Sequence, residues 1–352
     1  MPRVLRKWLA PGSGVLLKNF WGVLTDMPAT LLPWQLEQWE TVTSQVAANR
    51  LPHALLLAGP SGLGKRQFAN RLIDWRLCAL HDEYEEACGT CPNCLLRLAE
   101  THPDRFVLMP EEGSGQIKID QIRAMVDWAY QTAQRGEGKF VLIEPAEALN
   151  QQAANALLKC LEEPPEGTHF VLIADTPGQL LPTIRSRSST LFFRTPQATV
   201  ATDWLGQQPG FQPNHSVLLQ IAGGAPLAVQ DMIEADYLDS RRAVLRVFSM
   251  LKNGESPVAA AAFVSQQLPD AVISVMVSLI LDLLRMVRGD RNIRHEDVMD
   301  QLVSLADNVP ELRWFSLLDY LVECRALLAS GANPNRQLMM EGLCIRTAEA
   351  VG

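Results

Sequence analysis

The chain has 352 residues, which at roughly 150 residues per domain makes two or three domains. Apolar residues make up 47% and charged residues 20%, so an ordinary core can form and disordered, collagen-like and coiled-coil classes are excluded. Lys and Arg number 31 against 39 Asp and Glu, and the net charge of -8 makes a poor autonomous duplex binder, because that affinity comes from neutralising phosphates.

Residues 1–26 carry Arg3, Arg6, Lys7 and Lys18 against one acid, Asp26, and have no clear period. Pro11-Gly12-Ser13-Gly14 interrupts them, so they do not read as a signal peptide. A domain start follows at Met27, which leaves the first 26 residues as either a real extension or a mis-assigned start. Ala54–Ala58 is an apolar run before glycines and predicts a buried strand, followed by a helix from Lys65 to about Leu80. Phe106–Met109 predicts a short strand, Ile119 to about Gln134 a helix, and Phe140–Ile143 a buried strand. Asn150 can cap a helix with Ala154, Leu157, Leu158 and Leu161 on one face, and Pro164-Pro165 stops it. Phe170–Ala174 is a further buried strand and reads as the last of its domain. Apolar strands alternating with helices argue an α/β fold with a parallel sheet covered on both faces. Past Pro196 the strand pattern ends, short helices surround Gly223-Gly224, and five or six helices fill residues 239 to about 350. Ala271–Val287 is interrupted by Ser274, Ser278, Asp282 and Arg285, so it reads as a core helix and not a membrane span.

Four constellations could carry chemistry. Gly59-Pro60-Ser61-Gly62-Leu63-Gly64-Lys65 lies between a strand and a helix, the setting of a phosphate loop. There Gly59, Gly62 and Gly64 would wrap a polyphosphate and Lys65 would reach the outer phosphates. The hydroxyl that ligates Mg²⁺ is replaced by Arg66. The strand Phe140–Ile143 should end in Asp-Glu for metal binding and water activation but ends in Glu144-Pro145, and Glu147 reads as a solvated helix-start acid. Two lesions in the same chemistry predict that nucleotide is not productively bound or hydrolysed. Cys78, Cys88, Cys91 and Cys94, four of seven cysteines within 17 residues, suit a closed tetrahedral Zn²⁺ site of structural role. His81 is a weaker ligand candidate, and Cys160, Cys324 and Cys344 read as core residues. With no export signal the cysteines are read as metal ligands or free thiols of a cytoplasmic protein. Lastly, Thr183-Ile184-Arg185-Ser186-Arg187-Ser188 puts two arginines after a strand.

The P-loop, the four-cysteine insert, the run Asn155-Ala156-Leu157-Leu158-Lys159 to Glu162-Glu163-Pro164-Pro165, and Ser186-Arg187 together resemble the bacterial clamp-loader subunits of the AAA+ family. Asn333-Pro334-Asn335, with Leu338, Glu341 and Leu343, resembles the family's last helix. The resemblance implies a RecA-like P-loop domain at 27–195 with its zinc module at 78–94, a helical lid at 196–238, and an all-α oligomerisation domain at 239–352. Gamma/tau motor subunits of this family keep an intact loop, an Asp-Glu strand end and a lid arginine. Here Arg66, Glu144-Pro145 and Leu227 stand instead, so the chain resembles the delta-prime type, part of the DNA polymerase III holoenzyme without ATPase or polymerase activity of its own. Such a subunit assembles with gamma/tau and delta, and the assembly uses ATP to place the sliding clamp on primed DNA. The resemblance assigns Arg187 as an arginine finger aimed at a neighbour's γ-phosphate, with Ser188 where the family has Cys, and leaves Arg185 to pair locally. A gamma/tau-type motor would need a hydroxyl at 66 and a carboxylate at 145. A zinc-containing P-loop nucleotide kinase would carry its metal insert later and would lack the long helical third.

Overall fold

The computed structural model describes residues 31–81, 86–111, 114–135, 138–329 and 334–352. The expectations for residues 1–26, for the start at Met27 and for Asn333 lie outside the described residues.

The first half alternates as the pattern predicts. In order come α1 (Leu36–Ala47), β1 (Ala54–Ala58), α2 (Lys65–Leu77), α3 (Pro92–Leu98), β2 (Arg105–Leu108), α4 (Ile119–Ala129) and β3 (Lys139–Ile143). Then follow α5 (Gln151–Glu162), β4 (Thr168–Ala174), α6 (Pro182–Ser186) and β5 (Ser189–Phe192). The five strands form one parallel sheet in the order β2-β3-β4-β1-β5. Strand alternation sends Leu56, Val141, Ile143, Phe170 and Leu172 to one face, against Met125 of α4 and Leu157 and Leu161 of α5. Leu55, Leu57, Phe140, Leu142, Val171 and Ile173 go to the other, against Val42 of α1 and Phe68, Leu72 and Ile73 of α2. Both faces are covered, which is why β1, β3 and β4 are almost continuously apolar.

Three details differ from the sequence reading. Phe170–Ala174 is not the last strand: β5 follows α6 and pairs with β1, with Leu55 opposite Ser189 and Ala58 opposite Phe192. As an edge strand it is only half covered, so Ser-Thr-Leu-Phe lacks the apolar signature of its neighbours. Helix α4 ends at Ala129 because long-range partners take over its exit. The Lys139 ammonium binds the Trp128 and Gln131 carbonyls, and buried Asp104 accepts from the N–H groups of Gln134 and Arg135 at 2.8 and 2.7 Å. Helix α2 stops at Leu77, where Asn93 of α3 donates to the Leu77 carbonyl at 2.9 Å. Asn150 caps α5 as expected, its Oδ1 accepting from Ala153 N–H at 2.8 Å.

All described elements after β5 are helical. They are α7 (Ala198–Leu205), α8 (Ser216–Ile221), α9 (Pro226–Glu234), α10 (Tyr237–Lys252), α11 (Pro257–Val264), α12 (Pro269–Val287), α13 (Met299–Ala306), α14 (Glu311–Ala329) and α15 (Arg336–Val351). Proline opens α9, α11 and α12, where its missing N–H costs nothing. One core runs through these helices, with Phe248, Ile273, Leu279, Trp314, Leu321 and Met340 fully buried. Helix α12 is the core helix expected from its sequence, and its buried Asp282 accepts from His295 Nδ1 and Arg285 Nη1, both at 2.7 Å. Among the described residues no single helix is long and apolar enough to cross a membrane.

Candidate functional site

The phosphate loop turns from β1 into α2 with Gly64 as the helix N-cap in the left-handed region, φ 78°. Two other glycines are held by close packing. A Cβ at Gly59 would lie 2.1 Å from the Phe193 carbonyl oxygen, and one at Gly62 would lie 2.7 Å from the Ala228 Cβ. Helix α9 therefore sits directly on the loop, and Leu227 N–H donates to the Gly62 carbonyl at 3.1 Å. From the other side Gln35 Nε2 donates to the Leu63 and Gly64 carbonyls, each at 2.9 Å, and Trp34 Nε1 to Leu63 at 3.0 Å.

The loop's cations are already partnered. Lys65 is buried, and its ammonium donates to the Gly59 and Pro60 carbonyls, each at 2.6 Å, and pairs with Asp175 Oδ1 at 2.6 Å. An ammonium has three N–H donors, so all are engaged. Arg66 stands where a P-loop enzyme keeps its Mg²⁺-binding hydroxyl, and its Nε lies 2.6 Å from Glu144 Oε2 at the end of β3. Burial pushes the Glu144 carboxyl above its usual range, Arg66 pulls it back, and the charge of Asp175 adds to the rise. Glu147 is not simply solvated: it accepts from Thr176 N–H at 2.5 Å, tying the loop after β3 to the loop after β4.

At the far end of α2, the four cysteines converge. The Cys78, Cys88, Cys91 and Cys94 sulfurs lie within 4.8 Å of one another, with Cys78–Cys91 and Cys88–Cys94 each at 3.9 Å. Tetrahedral thiolates around zinc at ~2.3 Å stand ~3.8 Å apart, so the spacing suits four sulfurs sharing one such cation. Backbone N–H groups of Leu80 and Cys88 point at Cys78 Sγ, that of Cys91 at Cys88 Sγ, and that of Cys94 at Cys91 Sγ, all at 3.4 Å. These donors favour thiolate. Backbone donation, first from Thr90, brings the Cys88 thiol down to about 6, while burial pushes Cys78 and Cys94 up. His81 is not in the cluster; its Nδ1 donates to the Cys78 carbonyl at 2.9 Å. Beneath the cluster, buried Asp74 of α2 meets Arg97 of α3 at 3.2 Å and Arg105 of β2 at 3.6 Å. Burial raises the Asp74 carboxyl to about 6 against both guanidinium groups. Cys160, Cys324 and Cys344 are buried core residues, as their helical patterns indicate.

The local pairing expected of Arg185 falls on Arg187 instead. Arg185 is exposed and has no ion-pair partner among the described residues. Arg187 is the residue that pairs locally: its Nη2 lies 2.6 Å from Glu162 Oε1 and its Nη1 donates to the Thr183 carbonyl at 3.3 Å. The reason is placement, since Arg187 ends α6 beside the C-terminus of α5, and Ile184 buries α6 against that helix.

A family model described as DNA polymerase III, delta subunit, matches residues 34–197, and one described as DNA polymerase III, delta subunit, C terminal, matches residues 235–348. DNA polymerase III subunit delta' of Pseudomonas aeruginosa is 35% identical over 331 residues, covering 92% of this chain and 99% of that one. The chain belongs to the DNA polymerase III delta-prime family. The delta' subunit of Escherichia coli K12 is 29% identical over 316 residues, covering 89% of this chain and 94% of that one. Among solved structures, a DNA polymerase III gamma subunit-related protein of Thermotoga maritima is 20% identical, with a TM-score of 0.47, covering 90% of this chain and 100% of that one.

For this delta-prime chain, sequence reading missed the residues that close the loop. Asp175, Gln35 and Trp34 contact the P-loop from distant parts of the chain. Asp175 carried a signal, because it directly follows β4, at the carboxyl edge of the sheet where phosphate loops lie. Glu162 was visible only as part of a motif, without a role.

Proposed function

We propose that this delta-prime chain is the non-hydrolysing subunit of a clamp loader, acting in the cytoplasm beside gamma/tau motors and a delta subunit. The assembly would use ATP to place the sliding clamp on primed DNA during replication. In this reading residues 27–195 form the P-loop domain, 196–238 the lid, and 239–352 the oligomerisation domain. The observation that carries the non-hydrolysing role is the pairing of Lys65 with Asp175 and of Arg66 with Glu144. An incoming triphosphate would have to break the first pair, and Mg²⁺ would meet a guanidinium where it needs a hydroxyl. Pro145 offers no group to activate water. Gly59, Gly62, Gly64 and Lys65 are thus read as a fold element and not a nucleotide site.

The chain's contribution to catalysis is Arg187, offered in trans to a motor's γ-phosphate. An arginine fork stays charged and can bridge two phosphate oxygens, and a finger supplied this way is worth about 10³–10⁵ in rate at its own site. The half-exposed Arg187 supports this reading, since it directly precedes β5, at the sheet's amino edge away from this chain's own phosphate loop, and is not buried. The four sulfurs would hold one structural Zn²⁺, a closed site that leaves no ligand position for water.

Two measurements test the proposal. The isolated protein hydrolyses no ATP above background; turnover abolished by Lys65→Ala would refute the non-hydrolysing role. In the reconstituted assembly, Arg187→Ala lowers clamp- and DNA-stimulated turnover and clamp loading only in part, because other motor sites keep their own fingers. Arg185→Ala does less. Unchanged turnover and loading with Arg187→Ala in place would make the chain a scaffold without a finger.

A further inference from the structure

Arg187, the proposed finger, is held by a carboxylate of its own chain, Glu162. Glu162 is the last residue of α5, where a carboxylate faces the negative end of the helix dipole and is disfavoured. Its oxygen nevertheless lies 2.6 Å from Arg187 Nη2, while Nη1 donates to Thr183 at 3.3 Å. These two bonds fix the guanidinium from one side. They use two of the five N–H donors an arginine carries, and the rest stay available. Neither side chain is buried, at 36% for Arg187 and 49% for Glu162, so the pair can exchange with an incoming oxyanion. The platform beneath it is firm: Ile184 is buried, and Ser188 Oγ donates to the Ile184 carbonyl at 2.9 Å.

We infer that Glu162 is a positioning residue for Arg187, holding the guanidinium at the exposed edge in the rotamer from which it reaches a neighbouring subunit's phosphate. The inference rests on the finger reading of Arg187. A long free arginine samples many rotamers, and an exposed pair biases such an equilibrium by no more than about fivefold, enough to favour one geometry without locking it. The chemistry recognised is a polyphosphate terminus, whose oxygens compete with the Glu162 carboxylate for the same donors.

The test is a double-mutant cycle in the reconstituted assembly, with incorporation checked by native mass. Glu162→Gln keeps the shape and removes the charge. It should slow the one motor site that Arg187 serves by about two- to fivefold, so that stimulated turnover of the whole assembly falls, by less than in Arg187→Ala and with little change in KM, and the loss should shrink at high salt as the pair is screened. In an Arg187→Ala background the same change should do nothing further, because Glu162 acts only through that arginine. Equal losses in both backgrounds would show a merely structural carboxylate and overturn the inference. So would a faster Glu162→Gln assembly, which would mean the contact parks the finger away from its target. If Arg187→Ala slows turnover and Glu162→Gln does not, the positioning role alone falls. If Arg187→Ala has no effect, the finger reading falls and takes the positioning role with it.

Discussion

The P-loop and the cysteine cluster occupy opposite ends of one helix, α2, and treat their binding groups in opposite ways. At the N-terminal end the ligand-binding cations are spent on the protein itself: Lys65 on two carbonyls and Asp175, Arg66 on Glu144. At the C-terminal end four sulfurs face one another and receive backbone N–H groups, an arrangement aimed inward at a shared centre. The difference teaches that a binding motif is judged by where its polar groups are satisfied. Glycines and a lysine at the right spacing form a loop that closes on itself, while the cysteines form a converging donor set.

That contrast can be broken most sharply at the cysteine end. Cys91→Ser should lose the metal, about one equivalent per chain, and speed amide exchange across the described part of residues 78–94 by on the order of 100-fold. Metal analysis with hydrogen exchange reads both, and full metal retention would mean that the sulfurs do not act as a set. At the other end Lys65→Ala should cost about 1–2 kcal/mol in urea unfolding, since it removes a buried donor from two carbonyls. In an open phosphate loop the same lysine faces solvent or ligand, and its loss would leave the apo fold nearly unchanged.

Smaller still is Arg66→Thr, which restores a hydroxyl but breaks a half-exposed pair. It should cost up to about 1 kcal/mol and yield no ATPase activity, because Pro145 still offers no base. Its pH dependence has a definite sign. Glu144 is raised in the folded state, so the fold holds that proton more tightly than the unfolded chain and stability falls as pH rises through the interval above 4.5. Removing Arg66 takes away a group that lowers the carboxyl and widens that interval upward. The variant's deficit should therefore be largest near neutral pH and should narrow towards pH 4.5; a deficit that grows on acidification would contradict the pairing.

Most of the sheet was legible because its inner strands are apolar runs between turn residues, and α5 because Asn150 and Pro164 mark its ends. β5 was not, since an edge strand needs few apolar residues and Ser189 and Thr190 hide it. The end of α4 was set by Asp104 and Lys139, whose reach across the fold leaves no local trace. The cysteine set could be read directly, because its ligands are close in sequence and share one chemistry. The closure of the P-loop could not, because Asp175, Gln35 and Ala228 arrive from three separate segments. That the local ion pair falls on Arg187 and not on Arg185 was hidden for the same reason: the carboxylate that makes it sits on another helix.

The packing around the P-loop glycines has a consequence for descent. With the Phe193 carbonyl 2.1 Å from where a Cβ at Gly59 would stand, and Ala228 2.7 Å from one at Gly62, any larger residue must move backbone or helix α9. Selection for folding alone would then keep these glycines after the selective value of holding a nucleotide had gone. A signature of this kind can outlive its ligand, and its persistence in a lineage records the shape of a crevice and not the survival of an activity.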